Sequence, residues 1–292
     1  MKNLIRDFCL YIASEKGLSP NTIEAYQRDL KGFVHFLGDQ SASEINLVTP
    51  DRIVEYLALL KERNYATSSV SRALIAIKVF FRFLKREGVV QKNVSLYVDT
   101  PKLWQLIPSV LSYREVELLF RQPNPDTHVG ARDLAILEVI YSSGLRVSEL
   151  CNLKLYDLDE DFVRVFGKGR KERIVPVGRK AVAAVDKYLL YYRCEHESDL
   201  NTFLFLTQKG RPIHRIFVWK MIKFYAKKAK ITKNISPHTL RHSFATHLLD
   251  NGANLRVIQD MMGHANISST DRYLHISKAQ VQASFDACHP RK

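Results

Sequence analysis

Cysteine is scarce in this chain. Its four, Cys9, Cys151, Cys194 and Cys288, stand far apart in 292 residues and never at CxxC spacing. That excludes a zinc ribbon or a disulfide framework and fits a protein of the reducing cytoplasm. Long apolar runs are also missing, so no segment is predicted to span a bilayer. The first residues, MKNLIRDFCLYIASEKG, carry charges at Arg6, Asp7, Glu15 and Lys16 and do not read as a signal peptide. There is no internal repeat and no low-complexity tract. Acidic residues are outnumbered: 30 Asp+Glu against 44 Lys+Arg give a net charge of +14 and a pI near 9.6. Such an excess points to a polyanionic partner, nucleic acid ahead of an anionic membrane; a generically basic protein is the plainer alternative. Residues 1–100 hold 14 basic and 11 acidic residues, a surplus of 3. Residues 101–292 hold 30 and 19, a surplus of 11, so the main polyanion site is expected there.

What is present is mostly helical pattern. Ser19-Pro20 and Thr49-Pro50 each place a capping hydroxyl before a proline at the first helical position. Ile23, Tyr26, Leu30, Phe33 and Leu37 follow the first at helical spacing; Ile53, Tyr56, Leu57 and Leu60 follow the second. A helix after Thr67-Ser68 carries Val70, Leu74, Ile77, Phe81 and Leu84, and an earlier one carries Leu4, Phe8 and Tyr11 or Ile12. These four amphipathic helices predict an N-terminal bundle over residues 1–98. The last also bears Arg72, Lys78, Arg82, Lys85 and Arg86, either a solvated basic face or a DNA-backbone face. Residues 99–110, DTPKLWQLIPSV, hold two prolines and no clean period, and read as a linker. A second domain, 111–292, is expected to be mostly α. Its helices are read after Ser112 and over Asp133–Ser142, Lys180–Tyr192, Ile216–Lys230, Pro237–Asp250 and Asn254–Met262. One β-hairpin interrupts them at FVRVFGKGRKERIVPV, residues 162–177.

Four stretches could carry chemistry. SPHTLRHSFATH, residues 236–247, puts His238, Arg241 and His242 on one helix face and Leu240, Phe244 and Leu248 on another. His238 falls in the first turn, where free N–H groups and the helix dipole favour an anion, and arginine forks onto phosphate. A zinc hydrolase would show HExxH; here Thr, Leu and Arg lie between the histidines, and an arginine repels a dication. Structural histidines are the competing reading, and His247 falls off the polar face. GHANISSTDRYLH, residues 263–275, has a glycine C-cap, His264 directly after it, and Tyr273 in a helix started by Ser268 and Asp271. GLRVSEL, 144–150, feeds Arg146 into a helix start. Lys168 lies between glycines at the hairpin tip, a place usually held by a solvated lysine.

Taken together these pieces say more than any one alone. Arg146 in GLRVSEL, Lys168 in GKGRKER, His238 and Arg241 in HTLRH, His264 in GHANISST and Tyr273 nine residues later resemble, in type, order and context, the tyrosine site-specific recombinases of the phage-integrase family. GLSPNTIEAYQRDLKGFVHFL resembles that family's N-terminal core-binding domain, and FDACHPRK resembles the C-terminus of its Xer subgroup. YATSSVSRALIAIKVFFRFLKREG leans to the branch of that subgroup that pairs with XerC. SSTDRYLHI departs from the commoner STTQIYTH around an unmoved tyrosine.

The resemblance implies a mainly α C-shaped DNA clamp, with a helical domain on one DNA face and a mostly α catalytic domain with a small sheet on the other. It implies cleavage without metal or other cofactor. Tyr273 would be the nucleophile, with Arg146 and Arg241 on the non-bridging oxygens of the scissile phosphate. His238 and His264 would add hydrogen bonds, His238 also as base, and Lys168 would protonate the leaving 5′ oxygen. The product is a 3′-phosphotyrosyl bond and a 5′ hydroxyl. Arg72, Lys78, Arg82, Arg170 and Lys171 are expected to contact DNA. The implied partners are double-stranded DNA, a XerC-like recombinase in a heterotetramer, and a septal DNA translocase of FtsK type, in resolving chromosome dimers at division. A C-terminal helix around Lys278–Phe285 is expected to dock in trans through Val281 and Phe285. A phage or mobile-element integrase, a type IB topoisomerase-like strand transferase and a catalytically silent DNA-binding protein are the competing functions.

Overall fold

Ser19 and Thr49 cap their helices as their positions require: each hydroxyl accepts a backbone N–H three residues on, from Thr22 and Arg52, both at 3.3 Å. In this computed structural model the described residues are 2–38, 42–98, 110–167, 172–194, 201–263 and 278–291. The chain divides into two compact units, residues 1–106 and 107–292; the expected linker 99–110 lies, but for Val110, outside the described residues.

The first unit holds α1 (Lys2–Ser14), α2 (Pro20–Leu37), α3 (Pro50–Glu62) and α4 (Thr67–Arg86). Helix α4 packs on both α2 and α3, and α1 packs on α2. The α4 stripe is buried as its spacing predicts, with Phe80 and Phe83 added, and Phe8 of α1 meets both rings at 5.3 and 5.6 Å. In α1 the buried stripe is Ile5, Phe8 and Ile12 instead of Leu4, which is only partly covered. On α4, Arg72 makes a two-point ion pair with Asp29 of α2 at 2.8 and 3.0 Å. Arg86 does the same with Glu15, over the Tyr11 ring. Among the described residues no ion pair engages Lys78, Arg82 or Lys85, and their i, i+4, i+7 spacing puts them on one face.

The second unit contains α5 (Tyr113–Phe120), α6 (His128–Ser143), α7 (Val147–Asn152), β1 (Phe162–Phe166), β2 (Glu172–Pro176) and α8 (Arg179–Tyr188). Then come α9 (Arg215–Lys228), α10 (Pro237–Asp250), α11 (Leu255–Met262) and α12 (Lys278–Cys288). Helix α6 starts five residues before the sequence suggested, with Thr127 as its cap. It is buried almost all round, so it has no one-sided stripe from which to read its length. Helix α8 stops at Tyr188 and continues to Arg193 as a π turn. Strands β1 and β2 pair antiparallel, Val165 opposite Arg173; Val163 and Val165 are buried while Arg164 faces out, the period-two alternation of a half-covered hairpin. No helix among the described residues is long and apolar enough to cross a membrane.

Helix α12 packs against α10, α11 and β2 of its own chain. Phe285 is buried there and Val281 partly so, where the sequence reading sent both to a neighbouring subunit. Phe285 stacks on His289 at 4.6 Å, and Arg291 stacks on Phe120 and pairs with Glu117 and the buried Glu138. Burial pushes the His289 imidazole down to about 4, with Arg291 and His247 acting the same way. The unfolded chain therefore takes up a proton near pH 6.5 that the folded chain refuses until about 4. Stability is full above pH 6.5 and falls as the pH drops toward 4, by about 3 kcal/mol at most. Urea midpoints at pH 7 and pH 5 measure this, and His289→Asn is expected to shrink the acid loss.

Candidate functional site

Helix α6 ends on Gly144, in the left-handed region at φ 59°, ψ 29°. The turn sends Leu145 into the core and leaves Arg146 as the residue that precedes α7. Glu149, in the first turn of α7, accepts the Arg146 backbone N–H at 2.8 Å and its Nη1 at 2.9 Å. Helix α10 starts from Ser236 and Pro237, buries Leu240, Phe244 and Leu248, and thereby turns Arg241 toward Gly144. Helix α11 starts from Asn254 and ends on Gly263, again left-handed at φ 62°.

Three guanidinium groups converge on that end of α11. Arg173 of β2 donates Nε to the Met261 carbonyl at 3.0 Å. Arg241 donates to the Met262 carbonyl and, through its other terminal nitrogen, to the Gly144 carbonyl. Arg146 donates Nη2 to the Gly263 carbonyl at 2.9 Å. A helix C-terminus leaves its last carbonyls unpaired and carries partial negative charge, so it suits cations. Here three consecutive carbonyls each take a different arginine.

Among the described residues, Glu149 is the only carboxylate paired with these three arginines. Arg173 grips Glu149 at 2.9 and 2.8 Å, and Arg146 takes the same Oε1. Burial pushes the Glu149 carboxyl up, but the Arg173 and Arg146 contacts outweigh it and hold it below the usual carboxylate value. Two positive charges stay uncompensated. Arg241, 5% exposed, is pushed down to about 10, first by burial and then by Arg146 and Arg173 beside it. A buried surplus of charge is costly to keep and marks a place prepared for a counter-charge. A cluster of arginine donors with this charge surplus can bind an oxyanion.

Of the expected site residues the fold brings Arg146 and Arg241 together. His238 is exposed in the first turn of α10, three residues before Arg241 on the same helix. Lys168, Arg170, Lys171, His264 and Tyr273 lie outside the described residues. His247 is structural: buried, it shares a 2.7 Å hydrogen bond with the Tyr141 hydroxyl and stacks on Tyr113. Glu149 and Arg173 were missed by the sequence reading. Their only signal was charge beside a named motif, Glu149 in GLRVSEL and Arg173 in GKGRKER.

Two family models match the chain: the phage integrase family over residues 109–280, and the phage integrase N-terminal SAM-like domain over residues 5–88. A tyrosine recombinase XerD of Staphylococcus haemolyticus is 40% identical over 294 residues, covering 100% of both chains. One from Chlamydia trachomatis serovar D is 42% identical, covering 99% of this chain and 97% of that one. Among solved structures, XerA recombinase is 31% identical with a TM-score of 0.51, over 99% of this chain and 100% of that one. XerH recombinase bound to palindromic difH substrate, a post-cleavage complex, has a TM-score of 0.70 at 22% identity, over 84% and 73%. A lambda integrase dimer bound to a COC′ core site has a TM-score of 0.73 at 17% identity, over 95% and 99%. The last two speak to the fold alone.

Gly144 bears directly on this geometry. A Cβ there would lie 2.5 Å from the Phe244 ring at a left-handed φ. Gly144→Ala is expected to cost about 2–4 kcal/mol, from left-handed strain and overpacking. Urea unfolding measures the loss, and Phe244→Leu in the same chain should return part of it.

Proposed function

Because the chain belongs to the phage integrase family and is a tyrosine recombinase, as its two family matches and its full-length relatives at 40% identity or more show, we propose that the arginine cluster at the end of α11 is its scissile-phosphate pocket. The observation that carries this reading is the surplus of two guanidinium charges, among the described residues, in a cluster of one buried and two partly buried arginines directly before residue 264. Arg146 and Arg241 hold the non-bridging oxygens. Each guanidinium stays charged and offers a fork of donors. The phosphate gains a further negative charge as the pentacoordinate transition state forms, so the clamp binds that state more tightly than the ground state.

Tyr273 is the nucleophile. A phenol titrates near ~10 in water, and cations beside it favour the phenolate. Attack on phosphorus forms the Tyr273–phosphate ester at the 3′ side and expels the 5′ oxygen. Lys168 gives that oxygen its proton, and His238 and His264 bind the phosphoryl oxygens, His238 also taking the phenol proton. The ester retains the energy of the broken bond, so rejoining to a second strand needs no nucleotide cofactor. Double-stranded DNA is the substrate. The wider role is resolution of chromosome dimers in the cytoplasm at division, with a XerC-like recombinase and an FtsK-type translocase as partners, in keeping with the naming of the full-length relatives.

A nicked suicide duplex, built on the palindromic site that the protein footprints on the host chromosome, tests the chemistry. The wild-type chain is expected to form a covalent adduct that survives denaturant, with no loss in EDTA. Tyr273→Phe should bind the duplex and form none; an adduct from that variant removes Tyr273 from the mechanism. The basic face of α4 gives a separate expectation. Replacing Lys78, Arg82 and Lys85 with glutamine should weaken DNA binding and flatten log Kd against log salt by about 1 per lost phosphate contact. Arg72→Gln, already paired with Asp29, should alter that slope less.

A further inference from the structure

Arg173 has no part in the chemistry described so far, yet each nitrogen of its guanidinium makes a hydrogen bond. Nε meets the Met261 carbonyl, and Nη1 and Nη2 take the two oxygens of Glu149. Its side chain is 14% exposed, whereas that of Arg146 is 37% exposed. Arg173 is thus turned inward and Arg146 keeps an open edge. Gly263 allows the close fit: a Cβ there would lie 3.1 Å from the Arg173 guanidinium.

Resting on the phosphate-pocket reading, we infer that Arg173 is a positioning residue for DNA cleavage, one that keeps Glu149 from capturing Arg146. Glu149, with a side chain 5% exposed, sits between two arginines. A buried carboxylate is costly unless paired, and a two-point pair with arginine is its strongest partner. Arg173 supplies that pair, so Arg146 needs to give Glu149 only Nη1 and can send Nη2 to the Gly263 carbonyl. Without Arg173, the two-point pair falls to Arg146. The clamp then loses one of its surplus charges, and Arg146 turns away from Gly263. β2 therefore does more than lead out of the hairpin: it sets the charge of a pocket whose phosphate ligands lie on other elements.

The test is single-turnover adduct formation by wild type, Arg173→Gln and Arg173→Lys on the same nicked duplex. The scissile phosphate is present either as the ordinary diester or as a methylphosphonate, in which a methyl group replaces one charged oxygen. On the diester, Arg173→Gln is expected to react on the order of 10- to 100-fold more slowly with DNA binding retained. On the methylphosphonate most of that defect should vanish, because the lost cation has less charge to meet. An equal defect on both substrates overturns the inference and leaves Arg173 as a fold-stabilising residue only; so does a wild-type rate on the diester. Arg173→Lys, which keeps the charge but not the fork, is expected to show a smaller defect on the diester; if Arg173→Gln does not fold, Arg173→Met, which removes the same charge, carries the comparison. Absence of any adduct from the wild-type chain would instead overturn the phosphate-pocket reading itself.

Discussion

Among the described residues Glu149 is the one carboxylate paired within a cluster of three arginines, and the site's geometry depends on how they share it. Its backbone and side-chain contacts fix the start of α7, its two oxygens hold β2, and one of those oxygens also holds Arg146. The end of α11 then offers three carbonyls to the same three arginines. Four elements spread over more than a hundred residues of chain are locked by hydrogen bonds that are charged on at least one side. Charge-assisted bonds of this kind are short and directional, so they set angle as well as distance. An apolar contact of equal energy would leave the guanidinium planes free to rotate.

This arrangement keeps a folded protein in an electrostatically unfavourable state. Most buried ion pairs balance, as Arg132 and Asp133 do in the same unit. The cluster at α11 does not, and its surplus is held by backbone carbonyls, which offer dipoles but no net charge. On the phosphate-pocket reading, stability is sacrificed locally so that an anion finds its donors already aimed. That is preorganisation in the sense that matters for catalysis, since little reorganisation is left for the moment of reaction.

Much of the fold was legible in the sequence because its signals are local. Ser19-Pro20, Thr49-Pro50 and Ser236-Pro237 each start a helix where the cap and proline say they should. The hairpin at 162–177 declares itself by alternation around a glycine-bearing turn. Where burial surrounds an element the signal fades, and the start of α6 was misplaced for that reason. Partners are harder still. Periodicity put Arg72 on a basic face but said nothing of Asp29, 43 residues away, which takes its charge. In the site, motif context made Arg146 and Arg241 legible as a pair. Arg173 was not, because its meaning arises only when β2 is laid beside α7 and the end of α11.

The identity of the clamp residues has one more consequence. A phosphate pocket built on lysine or histidine would change its charge within the range of cellular pH. Arginine does not, and Arg241 shows how much margin that choice leaves. Even pushed down to about 10 by burial and by its two neighbours, it remains almost fully protonated at neutrality. On the phosphate-pocket reading, the arginines' share of the attraction for a phosphodiester is therefore constant from mild acid to mild alkali. On that reading, any pH dependence of the reaction near neutrality reports the histidines and the groups that move protons, not the arginine clamp.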